Sequence, residues 1–349
     1  MKFKNDEKNL KEELLNKILQ NPADEDNYIE LGKLHIMNAE YEDALGVYEN
    51  LLKINGLNAQ ALINAGSIQF YFGNMNTAIN YFTRASEIET NNFTIYLNLG
   101  NAYAELRQFD EAMNNYNRAM KIDPKNSGLY SAIALLYQDA KDYVTANLYY
   151  DKALALNPDP ETYLSKATVL MSMLVYKEAV NVLMKAIALD DRFLKGYITL
   201  ANCYSSMKDF ENADKYFEKC YEIDPNFYQA YVCHGISYSD EKRIDLAVEK
   251  YEQAIKINPN MPNAYILLAN IRVEEQKYDE AIALYEKAAA IKPNDPKTYT
   301  FIGNTYYMLG ELEKAINTYR KALKADADNH ENKLVYLEIV QEYIKRKSA

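Results

Sequence analysis

Three kinds of side chain in this sequence could do chemistry, and their spacing decides which chemistry is open to them. Histidines are few: His35, His234 and His330. A histidine serves as a general acid or base only within reach of the group whose proton it moves. His35 and His234 fall on core-facing positions of helical segments, where packing is the expected role. Cys203, Cys220 and Cys233 lie close to His234 in the chain. No two of them stand in the Cys-x-x-Cys or His-x-x-x-His spacing that clamps zinc, so reduced thiols are expected and no metal site. Adjacent carboxylates recur, as at Asp110-Glu111 and Asp279-Glu280, and could be an acid and base pair. They also stand where a helix begins, and acidic residues there meet the positive end of the helix dipole, which is the stronger reading. No G-x-G-x-x-G or G-x-x-x-x-G-K loop is present to cradle a phosphate. No catalytic residue and no cofactor are therefore expected, and the chain reads as a non-enzyme.

Composition narrows the partners. The 349 residues include 39 Lys plus Arg against 50 Asp plus Glu, a formal net charge of -11, which repels phosphate backbones and anionic membrane surfaces. Neither nucleic acid nor membrane is expected. The 32 tyrosines could stack on single-stranded RNA, but most fall on regular packing positions, and the acidic balance opposes a backbone-tracking groove. The opening MKFKNDEKNLKEELLNKILQNP is charged from its first turn and lacks the apolar run of a secretory leader or a membrane span, so a cytoplasmic location is expected.

The elements that must position everything else form one period. YDEAIALYEKAAAIKP (278–293) and FDEAMNNYNRAMKIDP (109–124) repeat one phrase. Its first Ala recurs at Ala44, Ala78, Ala112, Ala146, Ala179, Ala213, Ala247, Ala281 and Ala315. All intervals are 34 residues except Ala146 to Ala179, which is 33 and places a deletion near NPDPET in the turn between units. A constant period of this size signals a helical array. Upstream of each Ala a second helical pattern carries a small residue: Gly32, Gly66, Gly100, Ala134, Ala167, Ala201, Gly235, Ala269 and Gly303. Glycine costs a helix about 1 kcal/mol relative to Ala, so its repeated use predicts two helices in close approach. Units close on Pro124, Pro158, Pro225, Pro259 and Pro293, where Pro stops the helix. Nothing alternates with period two, so no strand is expected.

YLNLGNAYAELRQFDEAMNNYNRAMKIDP, from Tyr96 to Pro124, closely resembles the tetratricopeptide repeat, a helix–turn–helix module. The resemblance covers about residues 25–327. It implies an all-α, right-handed superhelical α-solenoid of nine repeats. An N-terminal capping helix within residues 1–24 is expected to turn Leu10, Leu14, Leu15 and Ile18 inward. A C-terminal capping helix within 328–349 is expected to turn Leu334, Leu337, Val340 and Ile344 inward. No enzyme domain is expected alongside.

In the resembling family the first helices line a concave groove that holds partner peptides. On the corresponding face stand Asn64 and Asn98, then Asn101, Asn202, Asn270 and Asn304, whose amides can both donate to and accept from a peptide backbone. Ile63, Phe70 and Tyr71, with Ile29, Ile36 and Leu97, make one face of the first three repeats unusually apolar and are expected to form an exposed docking patch, the alternative being the seat of the N-terminal cap. Glu105, Asp139, Asp240 and Glu274 recur at one edge position and would steer a partner with basic residues. The family's cationic clamp for acidic tails is missing, since Ile63, Ser67, Asn98, Gly128 and Ala132 occupy its positions. The expected function is a scaffold or adaptor that binds a protein or extended peptide. The alternative is a regulatory subunit that recruits substrate to a separately encoded enzyme such as a transferase.

Overall fold

A computed structural model describes the backbone of residues 2–348 and the side chains of residues 9–348. Met1 and Ala349, at the outer ends of the two expected capping segments, lie outside the described residues. Among the described residues there are twenty α-helices and no strand. The chain divides into two compact units, Met1–Met173 and Leu174–Ala349. The first unit holds α1 (Lys2–Gln20), α2 (Glu25–Met37), α3 (Tyr41–Ile54), α4 (Ala59–Tyr71), α5 (Met75–Ile88), α6 (Phe93–Glu105), α7 (Phe109–Ile122), α8 (Ser127–Asp139), α9 (Tyr143–Leu156) and α10 (Pro160–Ser172). The second holds α11 (Tyr176–Leu189), α12 (Leu194–Ser206), α13 (Phe210–Ile223), α14 (Tyr228–Asp240), α15 (Ile244–Ile257), α16 (Pro262–Glu274), α17 (Tyr278–Ile291), α18 (Pro296–Met308), α19 (Leu312–Ala325) and α20 (His330–Ser348).

Within the two units the hairpins are made by one device. In the α6–α7 turn Arg107 takes a left-handed φ of 57°. Its N–H then reaches the Ala104 carbonyl at 2.8 Å, and the Gln108 N–H reaches Tyr103 O at 2.9 Å, which satisfies the last carbonyls of the helix. All nine such turns have a positive φ at the middle residue, and only two of them, at Gly73 and Gly310, use glycine there. The first helices are started by side-chain caps: Asn58, Asn92, Asn126, Asp159 and Asp295 each accept a helix N–H. The connection α9–α10 spans residues 157–159, whereas α7–α8 spans 123–126, so the missing residue falls in a turn, as the spacing predicts.

Packing within a hairpin follows from the small residues. A Cβ on Gly100 would lie 2.3 Å from the Tyr116 ring, and one on Gly303 would lie 2.7 Å from the Tyr319 ring. Tyr48, Phe82, Tyr116, Tyr150, Phe217, Tyr251, Tyr285 and Tyr319 are all buried. The acidic pairs Asp110-Glu111 and Asp279-Glu280 are exposed in the first turns of α7 and α17, where they face the helix dipole and not a cleft.

Both end helices bury only part of the stripe expected. In α1, Leu14 packs on Leu31 and Leu34 with Ile18 beside it, while Leu10 and Leu15 are exposed. A helix with a single neighbour buries one narrow stripe. In α20, Ile339 is buried, and Val335, Tyr336, Val340 and Tyr343 pack with it against Leu312, Ile316 and Tyr319. Leu334, Leu337 and Ile344 face outward. The helix carries two apolar stripes, and the one with the larger aromatic area is the one the core takes. Among the described residues no helix is long and apolar enough to cross a membrane.

Candidate protein-binding surface

Within each unit the first helices lie side by side, α4 against α6 and α6 against α8 in the first, α12 against α14 in the second. The Asn residues expected to read a peptide stand on these helices, and all six are half-buried. Three of them share one arrangement. The Tyr116 hydroxyl donates to Asn101 Oδ1 at 2.8 Å, and Tyr285 donates to Asn270 Oδ1 at 2.5 Å. Tyr319 donates to Asn304 Oδ1 in the same way. In each case the Tyr is fifteen residues further along, on the second helix of the same hairpin. Burial pushes the hydroxyls of Tyr285 and Tyr319 up to about 12, so they remain donors at neutral pH. Each amide is thereby held with its acceptor turned inward, and its Nδ2 makes no hydrogen bond within the described residues. The surface consequently offers donors.

The other three Asn residues differ. Asn202 occupies the same repeat position, but its partner is Phe217, which has no hydroxyl, and its amide is engaged with the Cys233 thiol. Asn64 Oδ1 accepts from Gln60 Nε2 at 3.0 Å. Its Nδ2 and the adjacent Tyr48 hydroxyl are both buried without a partner. Turning both amides half a revolution lets Tyr48 donate to Asn64 Oδ1 and Asn64 Nδ2 donate to Gln60 Oε1. Asn98 is half-buried in the next repeat. The sequence shows Tyr fifteen residues after Asn101, Asn270 and Asn304 and Phe after Asn202, but not that the hydroxyl reaches the amide.

The expected apolar docking patch is largely packed away. Ile63 is buried in the core with Leu62 and Phe82, and Phe70 and Leu97 pack against that cluster. Ile29 and Ile36 pack with Tyr28 and Tyr48. Tyr71 is 65% exposed, with its ring 4.5 Å from that of Tyr41. Met37, one repeat earlier at the same position, is also exposed. The reason is geometric: Ile63 is covered by the neighbouring hairpin, and Tyr71 is the last residue of its helix. Glu105 and Asp139 in the first unit, and Asp240 and Glu274 in the second, are exposed.

The repeat tyrosines are spent on structure. Tyr130, Tyr231 and Tyr299 donate to the carbonyls of Pro124, Pro225 and Pro293, six residues earlier. Arg118, Lys152, Lys287 and Lys321 lie over the rings of Tyr96, Tyr130, Tyr265 and Tyr299. Rings roofed by cations are not free to stack on bases.

Two polar clusters were not foreseen. His35 Nδ1 lies 2.6 Å from Glu40 Oε2, which also takes the Lys11 ammonium at 3.1 Å. With Asp43 these residues form the one group among the described residues whose ligand atoms could surround a metal ion. The Lys11 charge already answers the Glu40 carboxylate. His234 is buried, with Nδ1 2.9 Å from the Tyr221 hydroxyl and Nε2 2.9 Å from Asp214 Oδ1. Its ring stacks between Phe217 and Tyr238. The order Tyr–His–Asp resembles a proton relay, but burial drives the Tyr221 hydroxyl well above its ordinary range, which leaves no nucleophile at neutral pH. Cys203 and Cys220 are buried and Cys233 is half-buried. Burial raises all three thiols, so none is an activated nucleophile.

Comparison with known proteins bears on the family and the fold. Models described as tetratricopeptide repeat match residues 59–92 and 194–227, 93–126 and 260–328, and a TPR repeat model matches 235–273. Together these segments cover more than half of the chain. The chain belongs to the tetratricopeptide repeat family, and its fold is the all-α solenoid of that family. No curated protein sequence matches it significantly. Among solved structures, the Cut9–Hcn1 assembly of an APC/C hetero-tetramer is 16% identical over 81% of this chain and 56% of that chain, with a TM-score of 0.50. That likeness is one of fold alone. MamA is 26% identical over 48% of this chain and 92% of its own, with a TM-score of 0.42. YrrB, described as a TPR protein with an unusual peptide-binding site, is 23% identical over 52% of this chain and 95% of its own, with a TM-score of 0.42.

Proposed function

We propose that this chain is a non-catalytic interaction scaffold that holds an extended protein segment along its first helices, with side-chain amides donating to the carbonyls of the bound backbone. The observation that carries this reading is the Tyr–Asn pairing. Asn101, Asn270 and Asn304 have their acceptors occupied from within and their donors left over. Backbone carbonyls in an extended chain recur whatever the side chains are, so such donors give affinity without reading sequence. Asn64 and Asn98 would add to Asn101 in the first unit and Asn202 to Asn270 and Asn304 in the second, and Tyr71 with Phe70 and Ile63 behind it would supply an apolar contact in the first. The exposed carboxylates Glu105, Asp139, Asp240 and Glu274 favour a partner with Lys or Arg side chains.

The test is capture from native lysate with mass spectrometry, comparing the wild type with two variants that circular dichroism shows to be folded at the temperature of the capture. One carries Asn64→Ala, Asn98→Ala and Tyr71→Ala; the other carries Asn270→Ala and Asn304→Ala. A protein held by the wild type and lost by either variant supports the reading, and its own motif then defines the specificity. Partners retained by both variants move the interface off the first helices and overturn the proposal. An enzyme captured with its activity would favour the substrate-recruiting alternative.

A further inference from the structure

One position of the first helices is polar in every repeat but two. Lys33, Ser67, Asn101 and Thr168 hold it in the first unit and Asn202, Asn270 and Asn304 in the second, whereas Leu135 holds it on α8 and Ile236 on α14. Neither apolar side chain is packed away: Leu135 is 51% exposed and Ile236 40%. The buried tyrosine of each hairpin turns elsewhere. Tyr150 donates to Gln138 Oε1 at 3.0 Å, and the Tyr251 hydroxyl lies 3.3 Å from Ser239 Oγ, so a residue three places further on does for these phenols what Asn101 does for Tyr116. The two hairpins are complete without a polar group at 135 or 236.

One turn further along the same helices, Asp139 and Asp240 are exposed. They are the last residues of α8 and α14, where a carboxylate is opposed by the negative end of the helix dipole. Among the described residues no ion pair holds either of them. Residues four apart share one face of a helix, with roughly 6 Å between their Cβ atoms. That is about the reach of an arginine or lysine stem from its first methylene to its charged head. Aspartate alone would attract any cation and leucine alone any apolar group, but an aliphatic surface that ends on a carboxylate fits a side chain that is aliphatic along its length and cationic at its tip. The other two acidic helix ends, Glu105 and Glu274, follow Asn101 and Asn270 and offer no such rest for a stem.

We infer that Leu135 with Asp139, and Ile236 with Asp240, are two specificity subsites, one in each unit, that each take a single arginine or lysine side chain of the bound segment, an assignment that rests on the extended-segment reading proposed above. The amides hold backbone and read no sequence. These two pairs read side chains.

The test is a nuclear magnetic resonance titration of the full chain, isotope-labelled at its Leu and Ile methyls and its Asn side-chain amides, with a short Gly/Ser peptide that carries one central arginine. The Leu135 and Ile236 methyl resonances should shift and saturate. Citrulline in place of the arginine keeps the stem and removes the charge, and should weaken binding about threefold, as loss of one exposed charge pair does. A guanidino residue with a single methylene keeps the charge, removes the stem and should weaken it by a similar factor. In the variant carrying Asp139→Asn and Asp240→Asn, the arginine and citrulline peptides should bind alike. Methyls that stay still at millimolar arginine peptide overturn the inference, and so do arginine and citrulline peptides that bind the wild type equally. The Asn101, Asn270 and Asn304 side-chain amides separate this inference from the reading beneath it. Amides that shift while the methyls do not would keep the backbone reading and overturn the subsites; methyls that shift while the amides do not would keep the subsites and overturn the backbone reading.

Discussion

The Tyr285 hydroxyl donates to Asn270 Oδ1 at 2.5 Å across the α16–α17 hairpin. The bond does two things: it satisfies a phenol that is otherwise buried, and it fixes which end of the Asn270 amide remains for a ligand. Tyr285→Phe removes the donor without changing the ring. A net hydrogen bond of this kind contributes about 1 kcal/mol, so the variant should lose about that much in urea unfolding. Asn270→Ala should cost a similar amount alone but little more on top of Tyr285→Phe, giving a coupling energy of about 1 kcal/mol in a double-mutant cycle. Additive losses would mean the two groups do not communicate.

The contrast between Gly100 and its counterparts shows what the sequence could and could not tell. That Gly100 meets Tyr116 follows from the period, because a close helix crossing explains why the position holds only glycine or alanine in every repeat. That Asn101 is locked by the same Tyr116 does not follow from the period; it depends on where a hydroxyl ends up, one atom beyond the ring that the pattern reports. Ile63 was misread for a related reason. Its exposure is set by the neighbouring hairpin, and a pattern within one helix cannot see that neighbour. The inner stripe of α20 was misread because the helix has two apolar stripes and nothing local ranks them.

Gly100 also yields a graded prediction. A Cβ there would meet the Tyr116 ring at 2.3 Å, yet Ala134 and Ala269 occupy the same position opposite Tyr150 and Tyr285. The hairpin can therefore open enough for a methyl group. Gly100→Ala also gains about 1 kcal/mol of helix propensity, and the two effects should leave stability within about 1 kcal/mol of the wild type. Gly100→Leu has no such relief, and overpacking of this kind costs about 3 kcal/mol. Thermal unfolding of the two variants should separate them by several degrees.

The hairpin turns hold unused stability. Lys141 sits at φ 62°, a region that disfavours a residue with a Cβ by about 1 kcal/mol. Its side chain is exposed, and the turn is held by backbone bonds, Lys141 N–H to Gln138 O and Asp142 N–H to Tyr137 O at 2.9 Å each. Lys141→Gly keeps both bonds and removes the strain. Part of the gain is offset by the greater freedom of glycine in the unfolded chain, so a rise of about 0.5 kcal/mol is expected in chemical denaturation. The same change at Gly73 or Gly310 has already been made by the sequence itself. A loss of stability in Lys141→Gly would show that the lysine makes a contact worth more than the backbone strain.

His234 provides the pH dependence. Burial pushes its pKa down to about 4, against the opposing pull of the Asp214 carboxylate, while Lys250 and Arg243 add to the depression. Tyr221 faces Nδ1, and Tyr238 and Phe217 cover the ring. The unfolded chain holds a histidine of ordinary pKa, about 6.5. Between these values the unfolded state binds the extra proton and the folded state does not. The stabilisation is complete above about pH 6.5 and is lost as pH falls towards 4, amounting to about 3 kcal/mol at most. Leucine stands at this position in the neighbouring repeats, as Leu200 and Leu268. His234→Leu should therefore fold, and Asp214, which is partly exposed and lies 3.6 Å from Arg243, should keep a partner. The melting temperature of the wild type should fall between pH 6.5 and 4 more steeply than that of His234→Leu, with the difference confined to this window. Parallel curves for the two proteins would mean that His234 is protonated in the folded state, with Asp214 carrying the balancing charge.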